Sequence, residues 1–122
     1  VLNLDIAAQG EGEQVCHDGV TIAFMNSQGP LHPEATRRLV RLCRQHAIPF
    51  TADCFPFYYC DGDSASKAGI DLRNALACFG ADASHGWERV HCDSLVAGNG
   101  VSALGNPGDV SSEDEAVSGG LA

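Results

Sequence analysis

Residues 33–46 carry the pattern of an amphipathic α-helix, and this pattern constrains the fold more than any other part of the chain. Apolar or bordering side chains recur at intervals of three and four residues, at Ala35, Leu39, Leu42 and His46. The opposite face carries Arg37, Arg38, Arg41, Arg44 and Gln45. Pro33 and Glu34 suit the first turn of a helix. We therefore predict a helix that packs Leu39 and Leu42 against a sheet and exposes its arginines.

Four short apolar segments predict strands around this helix. The first begins at residue 1 and ends near Asp5, and the others cover residues 20–26, 49–60 and 73–80. Turn residues and a short helical stretch separate the last two strands. Strands that alternate with helices are typical of the α/β class. The sequence therefore predicts a partial mixed sheet with flanking helices.

The charge of the chain argues against nucleic acid and membrane partners. Sixteen acidic residues against seven basic ones give a formal net charge of -9. A nucleic-acid-binding surface needs a basic footprint, and the arginine cluster is accounted for by the solvated face of the helix. No run approaches the roughly 18 apolar residues that a transmembrane helix needs. We expect a protein that binds neither nucleic acid nor membranes.

The cysteines indicate the redox compartment. Six are present, at Cys16, Cys43, Cys54, Cys60, Cys78 and Cys92. They form no C-x-x-C pair, and most lie in apolar runs where a free cysteine acts as a small hydrophobic residue. We predict reduced, unpaired cysteines and a cytoplasmic location, while a disulfide framework is the alternative.

Three groups of chemistry-bearing residues fall near the carboxyl ends of predicted strands, where ligands bind in open α/β sheets. Asp5 lies in an apolar strand, where a buried carboxylate is costly unless it pairs with a cation, caps a loop or binds a metal. Asp61 and Asp63 suit the N-terminus of the short helix that follows them. A calcium loop starting at Asp61 would need a glutamate at its twelfth position, which is Leu72.

The third group is the segment SHGWERVH at 84–91. His85 and His91 lie six residues apart, with Glu88 and Arg89 between them. Neutral imidazole suits zinc or cobalt, and a nearby carboxylate can fix its tautomer. The spacing matches no compact helical metal motif. Structural roles for the histidines therefore remain open, as does a nucleophile pair of His91 with Cys92 or Cys54.

Taken together, several segments resemble one known family, the tetrahedral (glutamyl) aminopeptidases. The resemblance is carried, in order, by LDIAAQGEG, GVTIAFMNSQGP, ATRRLVRLCRQHAIPF, DSASKAG and ACFGADASHGWERVH. It covers residues 2–96 and matches the carboxyl-terminal half of the catalytic domain, in the branch linked to an N-acetylglutaminylglutamine amide osmoprotectant system. It implies that the α/β fold is part of a zinc-aminopeptidase-like catalytic domain.

The resemblance also implies a site for two divalent metal ions, zinc or cobalt. In this family two histidines, two aspartates and a glutamate bind the ions, and a neighbouring glutamate is the general base. Asp5 matches the second aspartate ligand and His91 matches the last histidine, with His85 as the competing candidate. Their side chains are then expected about 4–7 Å apart in one cleft, as ligands of two ions about 3.5–4 Å apart.

The remaining residues implied by the resemblance lie around the metal ligands. Asp63 matches the aspartate of the family's GTDA-like turn, where it would support a ligand or cap a helix. His85, Glu88 and Arg89 are expected beside the ligands or on the substrate side. The other ligands and the general base would precede residue 1, so the chain holds at most one ligand for each ion.

The ligands and the general base that this sequence lacks predict how the chain is organised. We expect residues 1–97 to be the carboxyl-terminal portion of a metallopeptidase catalytic domain. Residues 98–122 are rich in glycine and acidic residues, and they predict a weakly ordered tail in place of the family's final helix.

The expected function is the removal of amino-terminal residues from short peptides by a homo-oligomeric, cytoplasmic metalloenzyme of which this chain is a fragment. Alone, the chain should be inactive and bind zinc weakly, because a site normally needs at least three protein ligands. The alternative is a non-catalytic α/β module with an interaction role. An H-x-D motif and a Glu-Glu pair upstream in the complete reading frame would support the first.

Overall fold

A computed structural model describes residues 1–105, which form one mixed sheet and three helices. The strands are β1 (Leu2–Ala8), β2 (Val20–Asn26), β3 (Gly29–Pro30), β4 (Phe50–Phe55) and β5 (Ala75–Ala81). The helices are α1 (Pro33–Gln45), α2 (Asp61–Lys67) and α3 (Cys92–Gly105). The predicted α/β class and the partial mixed sheet with flanking helices are therefore confirmed.

The sheet places β5 between β1 and β2. β1 runs parallel to β5, β5 runs antiparallel to β2, and β2 runs parallel to β4. β3 adds a two-residue antiparallel pairing at the end of β2. The carboxyl ends of β1 and β5 consequently lie together at one edge of the sheet.

One face of the sheet is covered by α1 and α3. Their apolar side chains pack with alternate residues of β2 and β5 in a buried cluster of Val20, Ile22, Leu39, Cys43, Ala75, Ala77, Ala97 and Val101. Burial of these side chains removes apolar surface from water, which stabilises the fold by about 25 cal/mol per Å². This cluster is the core that joins the two long helices to the sheet.

The opposite face is covered by α2 and by the loop 9–19. Its buried cluster consists of Ala7, Ala23, Leu31, Phe55, Cys60, Leu76 and Cys78, with Val15 and Tyr58 packed against it. The loop lies close to β5 at Gly80, where an added Cβ would meet the carbonyl oxygen of Cys16 at 2.4 Å. A glycine is needed at this position because any side chain would push the loop off the sheet.

Helix α1 follows the prediction with two corrections. Leu39 and Leu42 are buried, at 3% and 6% exposure, as predicted. His46 is exposed because the helix ends at Gln45 and His46 is its C-cap, so its place in the apolar stripe was wrong. Of the four arginines in this helix, Arg37 and Arg44 are exposed as predicted. Arg38 and Arg41 are half-buried.

Helix α3 corrects the predicted weak order after residue 97. The helix runs to Gly105, so the prediction of a tail is wrong for residues 98–105, and a final helix does follow His91. Ser94 anchors its first turn, since its buried hydroxyl donates to the Gly19 carbonyl at 2.6 Å and accepts from the Gly80 N–H at 3.0 Å. Residues 106–122, the rest of the predicted tail, lie outside the described residues.

The six cysteines, all within residues 1–105, form no disulfide, which confirms the prediction that they are unpaired. Burial raises the pKa of the Cys43 thiol to about 11, so it is protonated at neutral pH.

Within residues 1–105, no helix is both long and apolar enough to cross a membrane.

Leu39 gives a direct test of the core. We expect Leu39→Ala to lower the free energy of unfolding by about 2–5 kcal/mol, because it leaves a cavity between α1 and the sheet. Urea unfolding followed by circular dichroism measures the change. Arg37→Ala on the exposed face of the same helix is the control, with an expected change within about 0.5 kcal/mol. Equal effects of the two substitutions would contradict the packing.

Candidate functional site

Asp5 lies in the middle of β1 rather than at its end. It stands opposite Cys78 of β5, and the strand continues to Ala8, so the predicted end near Asp5 was wrong. The carboxylate is exposed, and its Oδ1 accepts from the Ile6 N–H at 2.7 Å. Exposure removes the desolvation cost that was expected to force a partner on this side chain.

A second group of acidic side chains gathers on the sheet face that carries Asp5. Burial raises the pKa of the Tyr58 hydroxyl, and the acidic groups Cys78, Glu13, Asp53 and Asp5 act in the same direction. Tyr58 packs against the buried cluster that contains Cys78. Glu13 and Asp53 come from the loop 9–19 and from β4, and no spacing in the sequence linked them.

Glu13 and Asp53 are close enough to influence each other. Burial raises the pKa of Glu13, and the charge of Asp53 and a hydrogen bond with it act in the same direction. Asp53 is held in turn, since its Oδ2 accepts from the Gln14 N–H at 2.6 Å and its Oδ1 from the Cys54 N–H at 2.8 Å. Glu13 is therefore protonated more readily than an isolated glutamate.

Asp63 caps α2 from the third position of that helix. Its Oδ2 accepts from the Cys60 N–H at 3.0 Å and from the Cys60 thiol at 3.1 Å. The same carboxylate accepts from the side-chain amides of Asn26 at 2.6 Å and Asn74 at 3.1 Å. Partial burial acts to raise the pKa of Asp63, but these hydrogen bonds outweigh it and hold the pKa below its ordinary value. The capping role expected for Asp63 is thus observed, whereas support of a metal ligand stays a prediction.

Gly62 lets α2 approach the sheet closely enough for this network. Its N–H donates to Asn3 Oδ1 at 2.9 Å, and Asn3 in turn contacts the side chain of Asn74. A Cβ on Gly62 would lie 2.3 Å from Asn74 Oδ1. The turn at Gly62–Ala65 therefore needs a glycine for packing as well as an aspartate for capping.

The loop between β5 and α3 uses most of its polar residues to hold itself together. Glu88 Oε1 accepts from the His85 N–H at 2.8 Å, and His85 has a positive φ of 61°, typical of a turn. Arg89 pairs with Asp82 at 2.6 Å, and its carbonyl accepts from the Asp82 N–H at 3.0 Å. These contacts give His85, Glu88 and Arg89 structural roles, and their predicted placement beside ligands or substrate stays untested.

His91 directly precedes α3 and lies against a second imidazole. Its ring centroid is 5.5 Å from that of His17 in the loop 9–19, with 54° between the ring planes. Its Nδ1 accepts from the Asp93 N–H at 3.2 Å and lies 3.6 Å from the Asp93 carboxylate. His17 Nδ1 contacts the side-chain amide of Gln9 at 2.5 Å. Nothing in the sequence pattern indicated His17, because it belongs to a loop far from His91 in the chain.

The loop that carries His17 packs on the sheet face that carries Asp5. Ala7 shares the face of Asp5, and Val15 of the loop that carries His17 packs in the cluster that contains Ala7. Asp5 lies three residues before Ala8, which pairs with Ala81 at the carboxyl end of β5. At the rise of a strand, three residues separate Asp5 from this end by roughly 10 Å. The separation of 4–7 Å between the side chains of Asp5 and His91 stays a prediction.

Within residues 1–105, no three histidine, cysteine or carboxylate side chains come close enough together to hold a metal ion. The chemistry-bearing residues of this segment therefore lie in separate places. Asp5 is on β1, Glu13 and Asp53 form a pair of their own, and the two imidazoles follow the carboxyl ends of β1 and β5.

Comparison with known proteins gives concordant matches. The model of the M42 glutamyl aminopeptidase family matches residues 2–99. The Bacillus subtilis (strain 168) protein named "Putative aminopeptidase YhfE" is 36% identical over 94 residues, which are 77% of this chain and 27% of that protein.

A solved structure matches the fold. The TET aminopeptidase from the marine sediment archaeon Thaumarchaeota archaeon SCGC AB-539-E09 superposes with a TM-score of 0.71 at 13% sequence identity. The match covers 89% of this chain and 33% of that one. The chain thus spans about a third or less of the length of these two proteins.

Proposed function

Because the chain belongs to the M42 glutamyl aminopeptidase family, we propose that it forms the carboxyl-terminal portion of the catalytic domain of a dinuclear-metal aminopeptidase. The observation that carries the proposal is the match of the family model over residues 2–99, which contain both Asp5 and His91. The small share of each relative that the chain covers supports the view of it as one part of a larger catalytic unit.

The donor set fits zinc or cobalt, but only as a part of a site. A carboxylate on Asp5 and an imidazole on His91 are ligand types that both ions accept. Within residues 1–105 they are joined by no third ligand in one group. Each ion would therefore take one ligand from this segment and the others, with the general base, from the rest of the enzyme. For the same reason we propose that the chain is inactive alone.

If two ions were bound, they would supply Lewis-acid chemistry, lowering the pKa of a water and polarising the scissile carbonyl. The residues of this chain would hold the ions and orient the ligands. Asp5 would bind from a rigid strand, and His91 from the start of α3, which Ser94 anchors to the sheet. Asp63 fixes α2 on the same face. The substrates would be short peptides, and the complete enzyme would be a cytoplasmic homo-oligomer.

The proposal is tested by comparing this chain with the product of its complete open reading frame. With zinc or cobalt added, we expect the complete protein to hydrolyse aminoacyl anilides, and this chain to give no rate above background. Removal of the metal with a chelator should abolish the activity, and its return should restore it. A complete protein that folds, binds metal and cleaves no aminoacyl anilide or short peptide would refute the proposal and favour a non-catalytic α/β module.

A further inference from the structure

A cavity of about 630 Å³ lies at the end of β5 opposite to the one that His91 follows. Its walls come from β3, the connection to α1, helix α2 and the segment before β5, and they include Leu31, His32, Ser66, Lys67 and Leu72. Asn74, directly before β5, also borders the cavity, and its carbonyl accepts from the His32 N–H at 2.9 Å. Strand β5 has seven residues, so its two ends are roughly 20 Å apart. The proposed function gives this cavity no role.

Three hydrogen-bond donors that line the cavity have no acceptor among residues 1–105. Lys67, the only lysine of the chain, forms no ion pair there, and its Nζ lies 5.1 Å from the centre of the Tyr59 ring. His32 Nδ1 accepts from the Ala35 N–H at 3.4 Å, so the ring proton is on Nε2, which has no acceptor. The exposed hydroxyl of Ser66 is the third donor. The cavity therefore offers three unused donors, one of which is positively charged.

The negative charge that borders the cavity is already engaged. Among the described residues that line it, Asp63 is the only carboxylate. It accepts from the N–H and the thiol of Cys60 and from the side-chain amides of Asn26 and Asn74. Four hydrogen bonds are about as many as a carboxylate can accept. A ligand in the cavity would therefore meet unused donors and no unused carboxylate, which favours an anion over a cation.

The remaining walls suit a small apolar group. Leu31 is buried at 4% exposure, Leu72 is half-buried, and Pro30 and Pro33 complete this side. A group that covers these side chains removes apolar surface from water, which favours binding. Ligand cavities of this size commonly combine apolar walls with a few placed polar groups. The lining therefore favours a ligand with a carboxylate at one end and a branched apolar group at the other.

We propose that this cavity binds a small carboxylate that carries an apolar group, with Lys67, His32 and Ser66 donating to the carboxylate and Leu31 and Leu72 packing on the apolar group. Two sources share this chemistry, a free apolar amino acid and the carboxyl-terminal residue of a peptide. The inference goes beyond the proposed function and does not depend on it, because it uses no residue assigned to the metal ions.

Titration of the metal-free chain with isocaproate, followed by NMR of the backbone amides, tests the inference. We expect saturable shifts in the millimolar range, centred on residues 28–33 and 63–74. Isocaproamide should bind at least roughly tenfold more weakly because it has the same shape without the charge. Acetate should bind at least roughly tenfold more weakly because it lacks the branched group. Equal affinities of isocaproate and its amide, or shifts confined to other residues, would overturn the inference.

Two pairs of variants locate the site. Lys67→Gln should weaken isocaproate binding by about three- to fivefold, as expected for an accessible ion pair. Arg44→Gln removes the same charge from the exposed end of α1, and the affinity should stay within about 1.5-fold. Ser66→Trp should abolish saturable binding by filling the cavity, whereas Ser64→Trp, on the same helix outside the cavity, should preserve it.

Urea unfolding shows whether each variant folds, and the Lys67 and Arg44 pair decides the result if a tryptophan variant does not. Equal effects within a folded pair would contradict the assignment of the cavity.

Leucine and glycyl-leucine separate the two sources of the carboxylate. Both keep the branched side chain, but leucine has a charged amine beside it and glycyl-leucine has an amide. Tighter binding of leucine identifies a free amino acid as the ligand, and tighter binding of glycyl-leucine identifies a peptide terminus, so either result supports the inference. Binding of neither compound would overturn it. Because the chain is titrated without metal, these outcomes do not depend on aminopeptidase activity, and the two proposals can fail separately.

Discussion

Asp63→Ala is expected to lower the free energy of unfolding of this chain by about 3–5 kcal/mol. The carboxylate accepts hydrogen bonds from Cys60, Asn26 and Asn74, and the two asparagines are buried at 3% and 7% exposure. Truncation leaves two buried amide groups short of a partner, each costing about 1–3 kcal/mol, and also removes the cap of α2. Urea unfolding of the two proteins gives the difference.

Asp61→Ala is the matched control for this substitution. Asp61 is exposed and occupies the first position of the same helix, so its loss should cost no more than about 1 kcal/mol through the helix dipole. Comparable losses for Asp61 and Asp63 would show that helix electrostatics, and not the buried network, stabilise this segment.

The stabilisation by Asp63 should also depend on pH. Its folded-state pKa lies below the ordinary value of about 3.9, so the carboxylate stabilises the fold fully above that value. The contribution is lost as the pH falls through the folded pKa, where the group takes up a proton. The difference between wild type and Asp63→Ala should therefore be constant near neutral pH and shrink below about pH 4.

The elements that the sequence predicted well are those in which local pattern and tertiary packing agree. The stripe through Leu39 and Leu42 predicted α1 to within a residue of its observed end, and the β-branched segment at 20–26 predicted β2. In both, the periodicity of apolar side chains matches the face that the core buries.

The sequence did not predict helix α3, because the glycines in this segment disfavour a helix. Gly98 and Gly100 lie in its interior, where each glycine costs about 1 kcal/mol relative to alanine. Packing offsets this cost, since Ala97 and Val101 are buried in the core shared with α1. Only the tertiary contacts reveal that these positions form a helix.

The candidate site was predicted in part for a related reason. The resemblance pointed to Asp5 and His91, but His17, Glu13 and Asp53 reach the site through loop packing and strand pairing across long stretches of sequence. No local spacing encodes such contacts. The two imidazoles meet only because the loop 9–19 lies down over β5 at Gly80.

In the complete protein, Asp5→Asn and His91→Gln are each expected to lower kcat/KM for an aminoacyl anilide by more than about 100-fold. Replacing a residue that only supports a metal ligand lowers activity by up to about 100-fold. Replacing the ligand itself should lower activity more. Each substitution should also lower the zinc content measured after dialysis. Both side chains are exposed in this chain. Without metal, the free energy of unfolding of each variant should therefore lie within about 0.5 kcal/mol of that of the wild type.

Two further variants make this result specific to the assigned ligands. His46→Gln, at the exposed C-cap of α1, should keep both activity and metal content. His85→Asn tests the competing histidine, because asparagine tolerates the positive φ at this position. If His85→Asn abolishes activity and zinc binding while His91→Gln spares them, His85 is the ligand and the assignment to His91 is wrong. If His91→Gln alone does so, the ligand is His91, at the start of α3.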